Sequence, residues 1–298
     1  MSDENNNDML CCASCGIAEN ADTKLKKCTA CYLVRYCSVK CQKDHRKKHK
    51  KECKKRAAEL RDELLFKQPE SSYLGDCPIC TVPLPLEISK STLYGCCSKG
   101  ICDGCNYANQ KREKEMRLQH SCPFCREPMP STEEEVDEQH MKRIEANDPV
   151  AMVQQGGEQM KKGDYQSAFE YWTKAAELGH ADAHYQLSVM YRFGDGVEKD
   201  EGKHIYHLEE AAIGGHHLAR HNLGCVECSI ERAVKHWVIA ATQGDDDSIK
   251  KLMEVFKKGF MEKENLTAAL RAHKAAVDAT KSPQRDEAEK NGRRLLRN

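Results

Sequence analysis

Eighteen cysteines in 298 residues, most of them in pairs two residues apart, are the side chains of this sequence best suited to chemistry. A Cys-x2-Cys pair lets two thiolates from one tight turn reach the same ion, and four soft or borderline ligands complete the tetrahedron that zinc prefers. Between Cys12 and Cys53 stand eight such ligands: Cys12, Cys15, Cys28, Cys31, Cys37, Cys41, His49 and Cys53. His49 and Cys53 are four residues apart, so one helix face would carry both. Between Cys77 and Cys125 stand eight more: Cys77, Cys80, Cys96, Cys97, Cys102, Cys105, Cys122 and Cys125. Three pairs at two-residue spacing and one adjacent pair, with gaps of fifteen residues after Cys80 and sixteen after Cys105, point to a cross-braced fold around two further ions.

Disulfides are the rival use of so many thiols. The early residues do not combine a basic start, an apolar run and a small-residue cleavage site, and no stretch approaches the ~20 apolar residues of a membrane span. The expected compartment is therefore cytoplasmic or nuclear, with no membrane partner; thiols stay reduced there and clusters of them hold metal. Lysine plus arginine equals aspartate plus glutamate at 47 each, so the global basicity of a nucleic-acid binder is missing. The run from Lys43 to Arg56 carries nine basic residues and two histidines. A short zinc-pinned helix leaves most of its circumference in water, and a solvated face is expected there rather than a nucleic-acid site.

One choice within the first set rests on spacing: Cys12, and not its neighbour Cys11, gives the two-residue step to Cys15. The series CASC, CTAC, CSVKC and HKKEC, with RYC and CQ between, resembles the MYND finger over its whole length. That resemblance implies one zinc on Cys12, Cys15, Cys37 and Cys41 and another on Cys28, Cys31, His49 and Cys53; His49 fits the family spacing to Cys41 and Cys53, and His45 is taken as a surface residue. Arg46 stands where many members of that family carry tryptophan, so their peptide-binding surface is not expected here. MYND fingers also occur in lysine methyltransferases, but no surrounding segment resembles the cofactor-binding domain of those enzymes.

The series CPIC, CC, CDGC and CPFC resembles a RING finger in its all-cysteine form. The resemblance implies one zinc on Cys77, Cys80, Cys102 and Cys105 and another on Cys96, Cys97, Cys122 and Cys125; whether Cys96 and Cys97 both bind stays open at this stage. A RING ligase forms no covalent intermediate of its own and orients a ubiquitin-loaded conjugating enzyme. By resemblance Ile79 and Pro123 form the apolar docking surface for that enzyme, and Arg126 takes the position that locks bound ubiquitin. The bland alternative is that Ile79 and Pro123 shape the knuckles and Arg126 is an ordinary surface arginine.

Beyond the cysteine-rich half, adjacent alanines recur at Ala175/Ala176, Ala211/Ala212, Ala240/Ala241 and Ala275/Ala276, each followed four residues after its first alanine by Gly179, Gly215, Gly244 or Ala279. Periods near 35 residues mean a solenoid of helical hairpins. The stretch from Ala183 to Gly215 closely resembles the Sel-like repeat, a relative of the tetratricopeptide repeat, with Gly194 and Gly196 in the turn between its helices. The third repeat is shortened around Cys225 and Cys228, which supply only half a zinc site and are expected as helix-packing thiols. Tyr165, Phe169, Trp172, Tyr185 and Leu187 are expected in the repeat core.

The expected fold is mainly α: two small zinc-stabilised modules, MYND-like and RING-like, followed by an α-solenoid of helical-hairpin repeats. The expected boundaries are a disordered N-terminus at 1–10, the MYND-type finger with its C-terminal helix at 11–65, a linker at 66–75, the RING-type finger at 76–128, an acidic linker at 129–145, repeats at 146–282 and a C-terminal tail at 283–298. No catalytic residue of the chain's own is expected, and four zinc ions are the expected cofactors. The expected function is that of a zinc-dependent RING-type ubiquitin ligase or ligase subunit, with the MYND finger and repeats recruiting protein partners. The alternatives are a non-enzymatic adaptor and, more weakly, transcriptional regulation. The oligomeric state is not legible in the sequence.

Overall fold

The computed structural model describes residues 11–295, so the expected disorder at 1–10 lies outside the described residues. It divides into two units, one ending at Lys67 and one beginning at Gln68.

In the first unit a two-residue hairpin, β1 (Lys26–Lys27) against β2 (Arg35–Tyr36), precedes helix α1 (Val39–Leu65). Ser38 caps α1 by accepting the Cys41 amide at 3.2 Å, so the helix starts with Cys41 already facing back to the finger. The apolar core is little more than Leu25, Tyr36 and the ligand cysteines. Too small to offset the chain entropy by burial alone, a core of this size depends on metal. The basic run from Lys43 onward is solvated along α1, with His49 buried among it.

The second unit begins with a cysteine-rich module. Strands β3 (Ser91–Tyr94) and β4 (Lys99–Cys102) pair antiparallel with Thr92 opposite Ile101, and helix α2 (Asp103–Met116) follows directly. The pairing buries Tyr94 and Ile101 beside Cys77, Cys102 and Cys122. The acidic segment expected as a linker contains a helix, α3 (Glu133–Glu145), with none of its residues buried. Thr132 accepts the Glu135 amide and Glu135 reaches back to the Ser131 amide, a reciprocal cap that suffices to start it.

The solenoid consists of four helical pairs: α4 (Pro149–Lys161) with α5 (Tyr165–Glu177), α6 (Ala181–Phe193) with α7 (Glu201–Ile213), α8 (His217–Val226) with α9 (Ile230–Thr242), and α10 (Asp246–Lys257) with α11 (Lys263–Ala279). The Ala-Ala-x-x-Gly signature has a backbone cause. Gly179, Gly215 and Gly244 adopt φ of 80°, 85° and 98°, and the next amides return to Ala175, Ala211 and Ala240 at 3.1, 3.0 and 3.2 Å. Each is a Schellman stop, in which a left-handed residue lets the orphan carbonyls of the last turn be satisfied, while the buried alanines admit the neighbouring helix. The fourth occurrence does not act this way: Ala279 is still helical, and Ala275 is exposed. Without glycine the left-handed stop is unavailable, and α11 buries Leu266 and Ala269 instead.

A second repeated device spaces the helices of a pair. A β-carbon at Gly156 would sit 2.4 Å from the Trp172 indole nitrogen, and one at Gly224 would sit 2.5 Å from that of Trp237. In the second pair the equivalent positions carry Ser188 and His204, and the imidazole Nδ1 lies 2.9 Å from the Ser188 carbonyl. Of the five residues expected in the core, Trp172 and Leu187 are buried, Phe169 packs on them and Tyr185 is half-buried against His216, whereas Tyr165 is exposed because it opens α5 beside Gly196.

Two segments expected as connectors are structured. Residues 68–75 lie on the solenoid: Gln68 accepts a hydrogen bond from Thr242 at 2.8 Å, the Tyr73 amide donates to the Gly215 carbonyl at 3.3 Å, and the Tyr73 ring stacks on His216 at 4.3 Å. The segment expected as a tail forms helix α12 (Pro283–Leu295) against α2. Gly104 permits that contact, since a β-carbon there would fall 2.8 Å from the Arg285 amide nitrogen.

The glycine–tryptophan contacts yield a direct stability prediction. Gly156→Ala and Gly224→Ala should each lower stability by about 1–3 kcal/mol through overpacking, despite alanine's better helix propensity. Gly157→Ala, whose β-carbon would meet nothing within 4 Å, should be neutral or stabilising. Thermal unfolding of the three variants measures the difference, and equal behaviour would remove the spacing role.

Candidate metal centres

Four clusters gather the sixteen expected ligands in fours: Cys12, Cys15, Cys37 and Cys41; Cys28, Cys31, His49 and Cys53; Cys77, Cys80, Cys102 and Cys105; Cys96, Cys97, Cys122 and Cys125. Within each, the donor atoms all lie within 4.8 Å of one another. A tetrahedron of Zn–S bonds has S···S edges of about 3.8 Å. Cys28 and Cys53 are 3.8 Å apart, Cys80 and Cys102 3.7 Å, Cys97 and Cys122 3.8 Å, and Cys96 and Cys125 3.4 Å. His49 presents Nε2 to Cys31 at 3.1 Å. No disulfide closes among the described cysteines. Thiolate-rich sets of four with one imidazole and no carboxylate fit zinc by softness and by number. Cys96 and Cys97 both face the fourth centre, although they are adjacent, and both lie in the turn between Tyr94 of β3 and Lys99 of β4.

Four of the Cys-x2-Cys turns are built alike. The amide four residues on returns to the first cysteine's carbonyl, from Gly16 to Cys12, Tyr32 to Cys28, Thr81 to Cys77 and Arg126 to Cys122, at 2.8–3.0 Å. The residue after the second cysteine is left-handed each time, with φ of 76° at Gly16, 57° at Tyr32, 56° at Thr81 and 66° at Arg126. This curl turns successive amides toward the first sulfur, and the thiol acidities reflect it. Burial raises the Cys12 and Cys28 thiols, yet amides around them, those of Cys15 and Cys31 foremost, bring each down to about 6. Cys77 falls to about 4 through a hydrogen bond from Cys102 that outweighs burial. Their partners move the other way: Cys37 is pushed to about 12 by Cys15 and Cys41, and Cys53 to about 11 by burial and by Cys28. Four thiolates that close repel one another, and only a cation reverses the sign.

The residues around the centres differ from the sequence expectation in four places. His45 is half-buried rather than a free surface group: its Nδ1 meets the Tyr36 hydroxyl at 3.2 Å and its ring stacks on His49 at 5.8 Å. Pro123 is buried, because it sits inside the Cys122–Cys125 turn under the module's core, so the exposed apolar groups of the two zinc loops are Ile79 and Phe124. Arg126 is exposed but bonded, donating to Asn109 Oδ1 on α2 at 3.0 Å. Cys225 and Cys228 are exposed and therefore are not packing thiols; the shortened turn carries them outward.

Two polar hubs had no sequence signature. Glu113, buried on α2, accepts from Asn109, from His120 and from both the amide and the hydroxyl of Ser121, at 2.7–3.1 Å, tying α2 to the residue before Cys122. Burial alone would raise this carboxyl, but His120, Asn109 and Ser121 hold it below the usual carboxylate range. Arg285 on α12 donates to the carbonyls of Pro83 at 2.6 Å and Val82 at 3.0 Å and lies 3.7 Å from the Cys80 sulfur. These partners lie some 200 residues away in the chain, which hides them from motif analysis.

The fourth centre carries its own test. Cys97→Ser should lower bound zinc from four ions to three, or leave a fourth that a moderate chelator strips first, whereas Cys11→Ser should retain all four; metal analysis after gel filtration measures both. Full retention in Cys97→Ser would remove that residue from the ligand set.

Comparison with known proteins agrees with two of the three modules. Residues 12–53 match the family model of the MYND finger, and residues 150–180, 181–216 and 220–245 match that of the Sel1 repeat. Among curated proteins, the chain is 30% identical over 116 residues to the uncharacterized protein NMB1327 of Neisseria meningitidis serogroup B, covering 38% of this chain and 25% of that protein. It is 26% identical over 174 residues to DAP3-binding cell death enhancer 1 of Mus musculus, covering 44% of this chain and 34% of that protein. The chain thus spans only about a quarter to a third of these relatives. Among solved structures, a Sel1 repeat protein from Oxalobacter formigenes aligns with a TM-score of 0.43 at 21% identity, over 59% of this chain and 74% of that one. The protective antigen c5321 of uropathogenic Escherichia coli, which displays an SLR fold, aligns at 0.38 and 19%, over 63% and 40%. This chain carries a MYND finger followed, after a second cysteine-rich module, by Sel1 repeats.

Proposed function

We propose that the chain is a ubiquitin ligase or ligase subunit that captures a protein on its MYND finger and Sel1 repeats and presents it to a ubiquitin-conjugating enzyme docked on the second cysteine-rich module. The coarser part rests on the modules themselves: the MYND finger and the Sel1 repeats are protein-interaction modules, and stacked hairpins expose an extended surface suited to peptides and protein faces. No helix of the described residues is long and apolar enough to cross a membrane.

The observation that carries the finer part is the cross-braced RING-like arrangement, which leaves Ile79 at 42% and Phe124 at 43% exposure on its two zinc loops, with Arg126 exposed directly after the last cysteine. Exposed apolar side chains on metal-pinned loops cannot collapse inward, so they remain available to a partner. Phe124 replaces the buried Pro123 in this reading as the apolar contact of the last loop. Arg126 would move from Asn109 to ubiquitin, exchanging one hydrogen bond for another. The adaptor reading draws on the same bond: an arginine already partnered by Asn109 serves a module that binds protein without activating ubiquitin transfer.

Zinc-loaded protein incubated with activating enzyme, ubiquitin and a panel of conjugating enzymes should build ubiquitin chains, which Ile79→Ala and Arg126→Ala reduce by at least about tenfold, the equivalent of ~1.4 kcal/mol of transition-state stabilisation. No chains with any enzyme, from protein carrying all its zinc, would overturn the ligase reading in favour of the adaptor.

A further inference from the structure

The shortened third repeat brings together a group that neither the zinc centres nor the repeat core uses. Helix α8 ends at Val226, the backbone leaves it in an extended conformation at Glu227, and Ser229 already caps α9. Cys225, in the last turn of α8, and Cys228, in the corner between the two helices, are both exposed thiols. The Cys225 sulfur lies 3.5 Å from Nε2 of His221, one turn earlier on α8. The other ring nitrogen of His221 faces α10, with Ser248 Oγ at 2.9 Å and Asp245 Oδ1 at 3.5 Å. Ser248 is fully buried and Asp245 nearly so, and the Ser248 amide donates to Asp245 at 2.7 Å, which fixes the carboxylate as the cap of α10.

We propose that Cys225 and Cys228 form a redox-active dithiol, with Cys225 as the peroxide-reactive thiolate, His221 as its proton acceptor and Asp245 as the group that orients and stabilises the imidazolium. A thiol, an imidazole and a buried carboxylate in series, drawn from two helices of successive repeats, is the arrangement that makes a cysteine nucleophilic near neutral pH. The need for it is local. Cys225 lies at the C-terminal end of α8, where the helix dipole opposes an anion, so a cation must come from a side chain. The groups facing His221 support the role. Asp245 stays below the usual carboxylate range, because His221 and Ser248 outweigh its burial, and His217, the next histidine toward the start of α8, is held to about 4 by burial and does not compete as a cation. The cluster stands apart from the four metal centres, and among the described residues it does not assemble a fourth-ligand set.

The chemistry balances with a hydroperoxide as oxidant. His221 takes the Cys225 proton; the thiolate sulfur bonds one peroxide oxygen as the O–O bond breaks, and the departing alkoxide recovers the proton from His221. Cys225 is then a sulfenic acid. The Cys228 thiol attacks that sulfur, the S–S bond forms, and the hydroxyl leaves with the Cys228 proton as water. Two thiols give up two electrons, and the hydroperoxide is reduced to an alcohol.

The test uses the full-length, zinc-loaded protein with hydrogen peroxide and mass spectrometry of peptides. Trypsin releases residues 221–232, which contain Cys225 and Cys228 and no other cysteine. A brief peroxide pulse should convert this peptide to its internal disulfide before the zinc-cluster peptides change, and Cys228→Ser should instead give a Cys225 sulfenic acid trapped by dimedone. In untreated wild-type protein near pH 7, iodoacetamide should label Cys225 about tenfold faster than Cys228, and His221→Gln should abolish that preference. Equal labelling of the two cysteines in the wild type, or a pulse that leaves both reduced, would overturn the proposal, and neither outcome depends on a variant folding. A fifth zinc ion whose removal exposes Cys225 would overturn it in favour of a metal site.

Discussion

Mutual repulsion among clustered thiolates is the constraint on which the cysteine-rich half of this chain depends. Each centre draws its donors from two pairs that are not neighbours in sequence, so that Cys12 and Cys15 meet Cys37 and Cys41 across an intervening pair that belongs to the other centre. Without a cation such a meeting is unfavourable, as the Cys37 thiol shows, pushed to about 12 first by its neighbours Cys15 and Cys41. A dication removes the repulsion, and each structural zinc then contributes roughly 10–16 kcal/mol of apparent folding free energy. The modules need it, since neither buries more than a handful of apolar side chains.

The second module adds a constraint that metal alone does not supply. Its first loop receives the guanidinium of Arg285 on the Val82 and Pro83 carbonyls, its helix receives α12 at Gly104, and the segment leading into it stacks Tyr73 on His216, itself stacked on Tyr185 at 4.4 Å. Module and solenoid in this unit therefore share an interface.

The zinc ligands and the hairpin solenoid were legible in the sequence because both are written in spacing: two-residue steps between cysteines, and the Ala-Ala-x-x-Gly interval that proves to be a Schellman stop. What was not legible depends on burial or on distant partners. The exposure of Phe124 in place of Pro123 follows from the curl of the last knuckle, which turns the proline inward. The fourth alanine pair kept its interval but lacks the glycine that gives the interval its meaning. Glu113 and Arg285 act through partners that no local pattern names, and α12 looked like a tail because its sequence is strongly polar, although the contact at Gly104 needs no apolar side chain. The relay from Cys225 through His221 to Asp245 crosses two repeats, so only folding brings it together.

Zinc K-edge X-ray absorption on the purified full-length protein addresses the central claim most directly, because it reports the donor atoms themselves. Four ions held by fifteen thiolates and one imidazole predict an averaged first shell that is almost entirely sulfur near 2.3 Å, with a nitrogen contribution from a single ligand in sixteen. A shell rich in nitrogen or oxygen would contradict the account.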